Sequence, residues 1–255
     1  MASKADGLAS PAVRYPEVAA GGYSRVDGNV AFYGRVQALL ADMAAPLTVL
    51  EFGAGRGLLA DDPVGIRRRL QELRGEGRTV IGVDIDPIVV TNPRVDEGRQ
   101  IDPSTGHIPV ADASVDLVVS DFTFEHIDDP VAVVAELDRV LKPGGWVCAR
   151  TPNKWGYIAL GARLVPNDLH VRALRKLQPG KPAHDTFPTR YRMNTRADLE
   201  KLFPEPRFHL SAYTMDAEPH LYAGSSSLLS GAIALLRAAP APLRSMWLVY
   251  AQKAG

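Results

Sequence analysis

The chain has 255 residues, and its 29 Lys plus Arg balance 29 Asp plus Glu. A formal net charge of zero leaves no whole-molecule field to draw it to nucleic-acid phosphates. That length suits one α/β domain with an insertion, and it is enough to bury a full core. The single cysteine, Cys148, excludes an internal disulfide and suits a reducing, cytoplasmic compartment. Met1 to Ser10 lacks the apolar run of a secretion signal. The charge is unevenly spread: Arg150 to Arg207 holds twelve basic against five acidic residues, whereas Asp84 to Asp129 holds two against eleven.

In chain order, residues 1–22 read as a lead segment broken by Pro11, Pro16 and Gly21-Gly22. Phe32, Val36, Leu39, Leu40 and Met43 then recur at helical spacing, predicting a helix over Val30 to Met43 that Pro46 ends. Thr48 to Phe52 reads as a first strand. Asp61-Asp62-Pro63 predicts a capped helix start, with a helix running through Ile66 and Leu70 to Gly75. Thr79 to Asp84 is a second strand, and a short third is expected near Arg99 to Asp102 inside a Pro- and Gly-rich loop. Val115 to Ser120 is almost wholly apolar, as in a strand covered on both faces.

Asp128-Asp129-Pro130 marks another helix start, and Pro143-Gly144-Gly145 its stop, followed by a strand over Trp146 to Ala149. Cys148 reads as core there. Almost sixty residues separate this strand from the next, Phe208 to Thr214. They include a helix-like stretch near Leu164 to Leu177, a break at Gln178 to Pro182, and Thr195 with Asp198 at capping-box spacing. Trp247 to Ala251 is the last strand. Strands alternating with helices imply a doubly wound parallel sheet with ligands at its carboxyl edge. The apolar stretch from Leu221 to Val249 is too interrupted by Gly, Pro and Arg to span a bilayer.

The chemistry concentrates in Val49-Leu-Glu-Phe-Gly-Ala-Gly-Arg-Gly57. Glycines at every second position permit positive φ and let main-chain N–H groups approach a ligand closely. Asp84, ending the second strand, is placed to accept hydrogen bonds from ribose hydroxyls, and Ile85 to pack on adenine. With Val115 to Asp121 and Leu141-Lys-Pro-Gly-Gly145 following in order, residues 45–155 resemble the class I S-adenosylmethionine-dependent methyltransferases, closest to the ubiquinone/menaquinone and sugar-tailoring branch.

That resemblance implies a Rossmann-like, mostly parallel seven-stranded sheet with a helical lid between the fifth and sixth strands. It implies S-adenosyl-L-methionine as cofactor, bound by Glu51, Gly53, Ala54, Gly55, Gly57, Asp84, Ile85 and Asp121. Family members place an acid shortly before a Leu-Pro pair for the adenine amino group. Here Ile108-Pro109 stands instead, and Asp102 is the nearest candidate. The expected organisation is one domain over 1–255. It comprises a cover segment (1–44), a cofactor core (45–150), a lid and substrate insertion (151–207) and C-terminal strands with a helix (208–255).

Methyl transfer from a sulfonium asks mainly for orientation and exclusion of water. His126, after the fourth strand, is the candidate base for a hydroxyl acceptor; a packing role at the following helix start is the alternative. Tyr23, Arg25, Asn153, Trp155, Arg190, Tyr191 and Arg192 are the candidate acceptor residues, the last three as a cation-aromatic cluster suited to a carboxylate or phosphate. His170, His184 and Asp185 read as solvated polar residues of the insert. The expected partner is a small-molecule or glycan acceptor, with no nucleic acid. Leu228, Leu229, Ile233, Leu235 and Leu236 suit the core or a peripheral membrane contact.

No His or Cys spacing suggests a metal site. Competing readings are an NAD(P)-binding oxidoreductase, disfavoured because the glycines run G-x-G-x-G and the acid lies 27 residues past Gly57, a nucleic-acid methyltransferase, and a non-catalytic scaffold of the same fold.

Overall fold

A computed structural model describes residues 15–57, 62–156, 159, 188–216 and 240–255. Helix α1 (Gly28–Asp42) begins where the Asp27 carboxylate accepts the N–H groups of Asn29 and Val30, satisfying donors that the first turn leaves open. Its buried stripe of Phe32, Tyr33, Val36 and Leu40 meets the predicted periodicity, with the start two residues earlier. Strand β1 (Leu47–Phe52) pairs in parallel with β2 (Arg78–Asp84), and β2 with β3 (Glu97–Gln100).

On its other side β1 pairs in parallel with β4 (Val115–Asp121), and β4 with β5 (Leu141–Pro152). Strand β7 (Met246–Lys253) runs antiparallel between β5 and β6 (Phe208–Met215), giving the order β3-β2-β1-β4-β5-β7-β6. The expected doubly wound, mostly parallel seven-stranded sheet is therefore present. Its strand order reverses between β1 and β4, where a ligand crevice is expected in such folds.

Alternation along the strands divides the core between the two faces. Val49, Val80, Leu117, Val119 and Cys148 pack with α1. Leu50, Phe52, Val83, Val118 and Val147 pack with Val134 and Leu137 of α3 (Pro130–Val140) and Leu199 of α4 (Arg196–Leu202). Asp129 caps α3 and Thr195 caps α4, as their sequence positions predict. Burial raises the Cys148 thiol above its ordinary range, in keeping with a core residue.

Two expectations need correction. Helix α2 (Gly65–Gln71) has Val64 at its N-cap, with no side-chain cap bond. Asp62 instead folds onto the Val64 N–H at 2.9 Å, so the proline after it belongs to a turn and not to the first helical turn. Pro143-Gly144-Gly145 does not precede a separate strand but lies within β5. There the register with β4 jumps from Val115 opposite Leu141 to Leu117 opposite Trp146. Gly144, at φ +79°, absorbs the irregularity. The expected helix at Leu164 to Leu177, the break after it, Tyr157, His170, His184, Asp185, Asp61 and the Leu228 to Leu236 group lie outside the described residues.

Candidate active site

At the carboxyl end of β1 the chain turns through Gly53, Gly55 and Gly57, all at positive φ (+80°, +51° and +76°). The three face different surroundings. A Cβ on Gly53 would run into Thr123 Oγ1, and one on Gly57 into Asn92 Oδ1. At Gly55 the nearest atom to such a Cβ is Asp84 Oδ2, 4.0 Å away. The loop thus closes on the protein at both ends and leaves an open cradle over its middle, beside a carboxylate.

That carboxylate is held by the backbone. Asp84 Oδ2 accepts the Gly55 N–H at 2.9 Å, and Oδ1 accepts the Asp86 N–H at 2.9 Å. Each oxygen keeps capacity for a further donor. From behind, buried Asn92 donates Nδ2 to the carbonyls of Ala54 (3.0 Å) and Gly55 (3.3 Å) and accepts the Arg94 N–H. Ile85 projects next to Asp84 with 48% of its surface exposed, available to an apolar ligand face. Burial pushes the Glu51 carboxyl up to about 7, with Arg94 opposing and Asp121 and Glu72 adding to the rise.

Asp102 follows β3 next to Asp84, since the Ile101 N–H donates to the Asp84 carbonyl at 2.7 Å. Its own carboxylate accepts from Ser104 Oγ (2.7 Å) and the Ser104 N–H (2.8 Å), which hold it below the usual carboxylate range. Asp121, at the end of β4, is committed to Arg150. Nε and Nη2 of Arg150 donate to its two oxygens at 2.6 Å each, and the Tyr33 hydroxyl adds a bond at 3.2 Å. Arg150 is 4% exposed and also donates to Asn29 Oδ1 at 2.7 Å. Burial works against its charge, yet Asp121 leaves its pKa raised. Burial, with Asp121 and Glu51 contributing, likewise lifts the Tyr33 phenol well above its ordinary value.

Beyond β4, Thr123 Oγ1 reaches the Phe52 carbonyl at 3.3 Å, so this loop abuts the glycine turn. His126 Nδ1 lies 3.2 Å from the Pro188 carbonyl. A carbonyl only accepts, so Nδ1 carries the hydrogen and Nε2 is the basic nitrogen of the neutral ring. Nε2 is 3.9 Å from Glu125 Oε1, while Glu125 Oε2 accepts the Thr151 hydroxyl at 2.9 Å. Buried Asn194 completes this polar core by donating to Thr151 Oγ1 at 2.7 Å.

The remaining predicted residues divide. Arg190 and Tyr191 donate their N–H groups to the Glu125 carbonyl, which brings them beside His126. The Arg190 side chain pairs with Asp128 at 2.7 Å and Arg192 donates to the Asp128 carbonyl, so the basic cluster is partly neutralised. Asn153 is structural: Nδ2 ties the Pro242 and Arg244 carbonyls and Oδ1 accepts the Trp155 N–H. Trp155 itself is half exposed beneath the Lys154 ammonium. Arg25 makes three bonds to Glu17, two from its guanidinium and one from its N–H, and Tyr23 packs at Gly21. None of these contacts reaches the glycine turn.

Sequence reasoning missed Tyr33, Asn92, Arg150, Thr151 and Asn194. In the sequence Arg150 counts only as the head of the basic stretch, directly after the expected strand.

A doubly wound sheet with a glycine cradle at its switch point and an acid at the end of β2 defines a nucleoside-cofactor fold. Residues 50–149 match the family described as methyltransferase domain. A probable S-adenosylmethionine-dependent methyltransferase of Mycolicibacterium smegmatis is 36% identical over 140 residues, 53% of this chain and 49% of that protein. A ubiquinone biosynthesis O-methyltransferase of Thiobacillus denitrificans is 31% identical over 123 residues, 44% of this chain and 49% of that protein. The chain thus spans about half the length of the curated relatives it matches.

Geranyl diphosphate C-methyltransferase of Streptomyces coelicolor A3(2) shares the fold, with a TM-score of 0.53 at 18% identity over 86% of this chain and 77% of that one. Across residues 50–149 the chain is thus similar to S-adenosylmethionine-dependent methyltransferases. Among the described residues no helix is long and apolar enough to cross a membrane.

Proposed function

We propose that the chain is an S-adenosylmethionine-dependent methyltransferase that methylates a hydroxyl oxygen of a small or glycan-type acceptor, with an anionic group on that acceptor. The observation that carries the cofactor reading is the open cradle over Gly55 beside the Asp84 carboxylate. Gly53 to Gly57 would hold the cofactor's methionine and ribose portion, Asp84 its ribose hydroxyls and Ile85 its adenine face. When bound, the sulfonium supplies an activated methyl group. The protein's tasks are to orient the acceptor oxygen, exclude water and accept its proton.

His126 Nε2 takes that proton, with the Pro188 carbonyl fixing the tautomer. The O-methyltransferase among the relatives supports oxygen as the acceptor atom, and the basic balance from Arg150 to Arg207 supports an anionic group on it. The insertion over 151–207 serves as lid and acceptor-binding segment. Among the candidates in it, Arg190 and Tyr191, whose N–H groups donate to the Glu125 carbonyl beside His126, touch the acceptor.

Calorimetric titration with S-adenosylmethionine and, separately, NADH tests the reading. The sulfonium cofactor should bind at micromolar affinity, NADH should not, and Asp84→Ala should weaken binding at least about tenfold by leaving two ribose hydroxyls without their acceptor. Preferential NADH binding would replace the reading with an oxidoreductase. Tight cofactor binding with no turnover on hydroxylated acceptors would favour a scaffold.

A further inference from the structure

We propose that Phe122 is the platform on which the acceptor stacks, and that the ring it selects is an electron-rich, hydroxylated aromatic. Resting on the methyltransferase reading, this narrows the acceptor class within it. Phe122 is the first residue past β4, at the strand-order reversal, between the glycine turn of β1 and the end of β5. Its neighbour Phe124 is fully buried, yet Phe122 leaves 43% of its surface in water. Its φ is +53°, in the left-handed region where a bulky side chain is a genuine outlier. Such strain persists only where the surroundings over-determine it, and it gathers at ligand clamps.

The surroundings do over-determine it. The Phe122 N–H donates to the Arg150 carbonyl at 2.8 Å, and Thr123 anchors the next residue to the Phe52 carbonyl. Beneath the ring lies the Arg150 guanidinium, 4.7 Å from the ring centroid. That guanidinium is immobile, held by both oxygens of Asp121 and by Asn29. The ring thus rests on a held guanidinium and leaves part of its surface in water.

The support also sets what it prefers. A cation on one face draws π density toward itself and leaves the opposite face poorer in electrons, an effect moderated here by Asp121. A second cation, or the C–H face of a sugar, favours an electron-rich ring and gains less from such a surface. A hydroxylated aromatic, rich in π density, gains more by offset stacking. Phe122 thereby acts as a specificity-determining residue for a phenolic acceptor over a sugar of the same charge.

The test measures equilibrium binding of 3,4-dihydroxybenzoate and of D-glucuronate to the full chain, with and without S-adenosylhomocysteine. It compares the unaltered protein with Phe122→Gly and Phe122→Tyr. Glycine adopts the positive φ without strain, so Phe122→Gly should fold. The aromatic acid should bind better than the sugar acid. Phe122→Gly should weaken it about tenfold and Phe122→Tyr no more than about twofold, with S-adenosylhomocysteine affinity unchanged in both.

The proposal is overturned if 3,4-dihydroxybenzoate fails to bind, if it binds Phe122→Gly as well as the unaltered chain, or if D-glucuronate binds more tightly in a Phe122-dependent way. Failure of S-adenosylhomocysteine to bind would instead count against the methyltransferase reading, with the Phe122 dependence still readable in its absence.

Discussion

The two halves of the sheet's carboxyl edge are built by different means. On the β1–β2 side the site is made of backbone: three glycines at positive φ, a carboxylate held by two main-chain N–H groups, and an asparagine that braces the loop through its carbonyls. On the β4–β5 side it is made of buried charge, with Arg150, Asp121, Tyr33 and Asn29 joined in one network beneath Phe122. The backbone site joins residues up to 38 apart, and it recurs wherever one ligand must be held the same way. A charge network gathers residues as far apart as Asn29 and Arg150, and can vary with the acceptor.

The strongest way to break this contrast is Arg150→Met. It removes the cation from a buried pair and leaves the Asp121 carboxylate, 12% exposed, without its bidentate partner. A loss of about 3–5 kcal/mol in urea unfolding is expected. Adding Asp121→Leu to the same chain should restore most of it, because two apolar groups need no compensation. If Arg150→Met alone cost less than about 1 kcal/mol, the pair would behave as a surface salt bridge and the picture of a desolvated network would be wrong.

The same contrast explains what the sequence made legible. The caps at Asp129 and Thr195 and the glycines before the acid ending β2 are local signals, and each appears in the structure at its expected place. Pro143 to Gly145 misled because a proline-glycine run can interrupt a strand as a bulge as well as end it, and only pairing with β4 decides. Asn153, a candidate acceptor residue from the stretch that carries the family resemblance, here ties the carbonyls of Pro242 and Arg244. Arg150 read as part of a basic stretch, although it is a buried cation bound to Asp121 and Asn29. The polar partners of the β4–β5 side lie up to 121 residues apart, beyond any sequence window.

Glu51, on the backbone-built side, carries a raised pKa. Its folded pKa of about 7 exceeds the ordinary 4.5, so between those values the folded state holds a proton that the unfolded chain has released. Stability then falls as pH rises through that window, by up to about 2–3 kcal/mol, and stays at its lower value above pH 7. Glu51→Gln should flatten this slope and be the more stable protein at pH 8, checked by urea midpoints from pH 4.5 to 8. An unchanged slope would mean that the Glu51 carboxyl reaches water.

Smaller in energy, but sharper in what they separate, are two alanine substitutions in the glycine turn. Gly53→Ala places a methyl group against Thr123 Oγ1 at a φ of +80°, so it should cost about 1–2 kcal/mol of stability, part of which Thr123→Ala returns by making room. Gly55→Ala carries only the strain of its φ, because the space over it is open as far as Asp84 Oδ2. It should cost less, about 1 kcal/mol. Its methyl group would stand inside the cradle, and cofactor affinity should fall further for Gly55→Ala than for Gly53→Ala even though the fold suffers less. Opposite rankings in urea unfolding and in cofactor titration mark a loop whose ends serve packing and whose middle serves the ligand. Parallel rankings would make the whole turn a structural device.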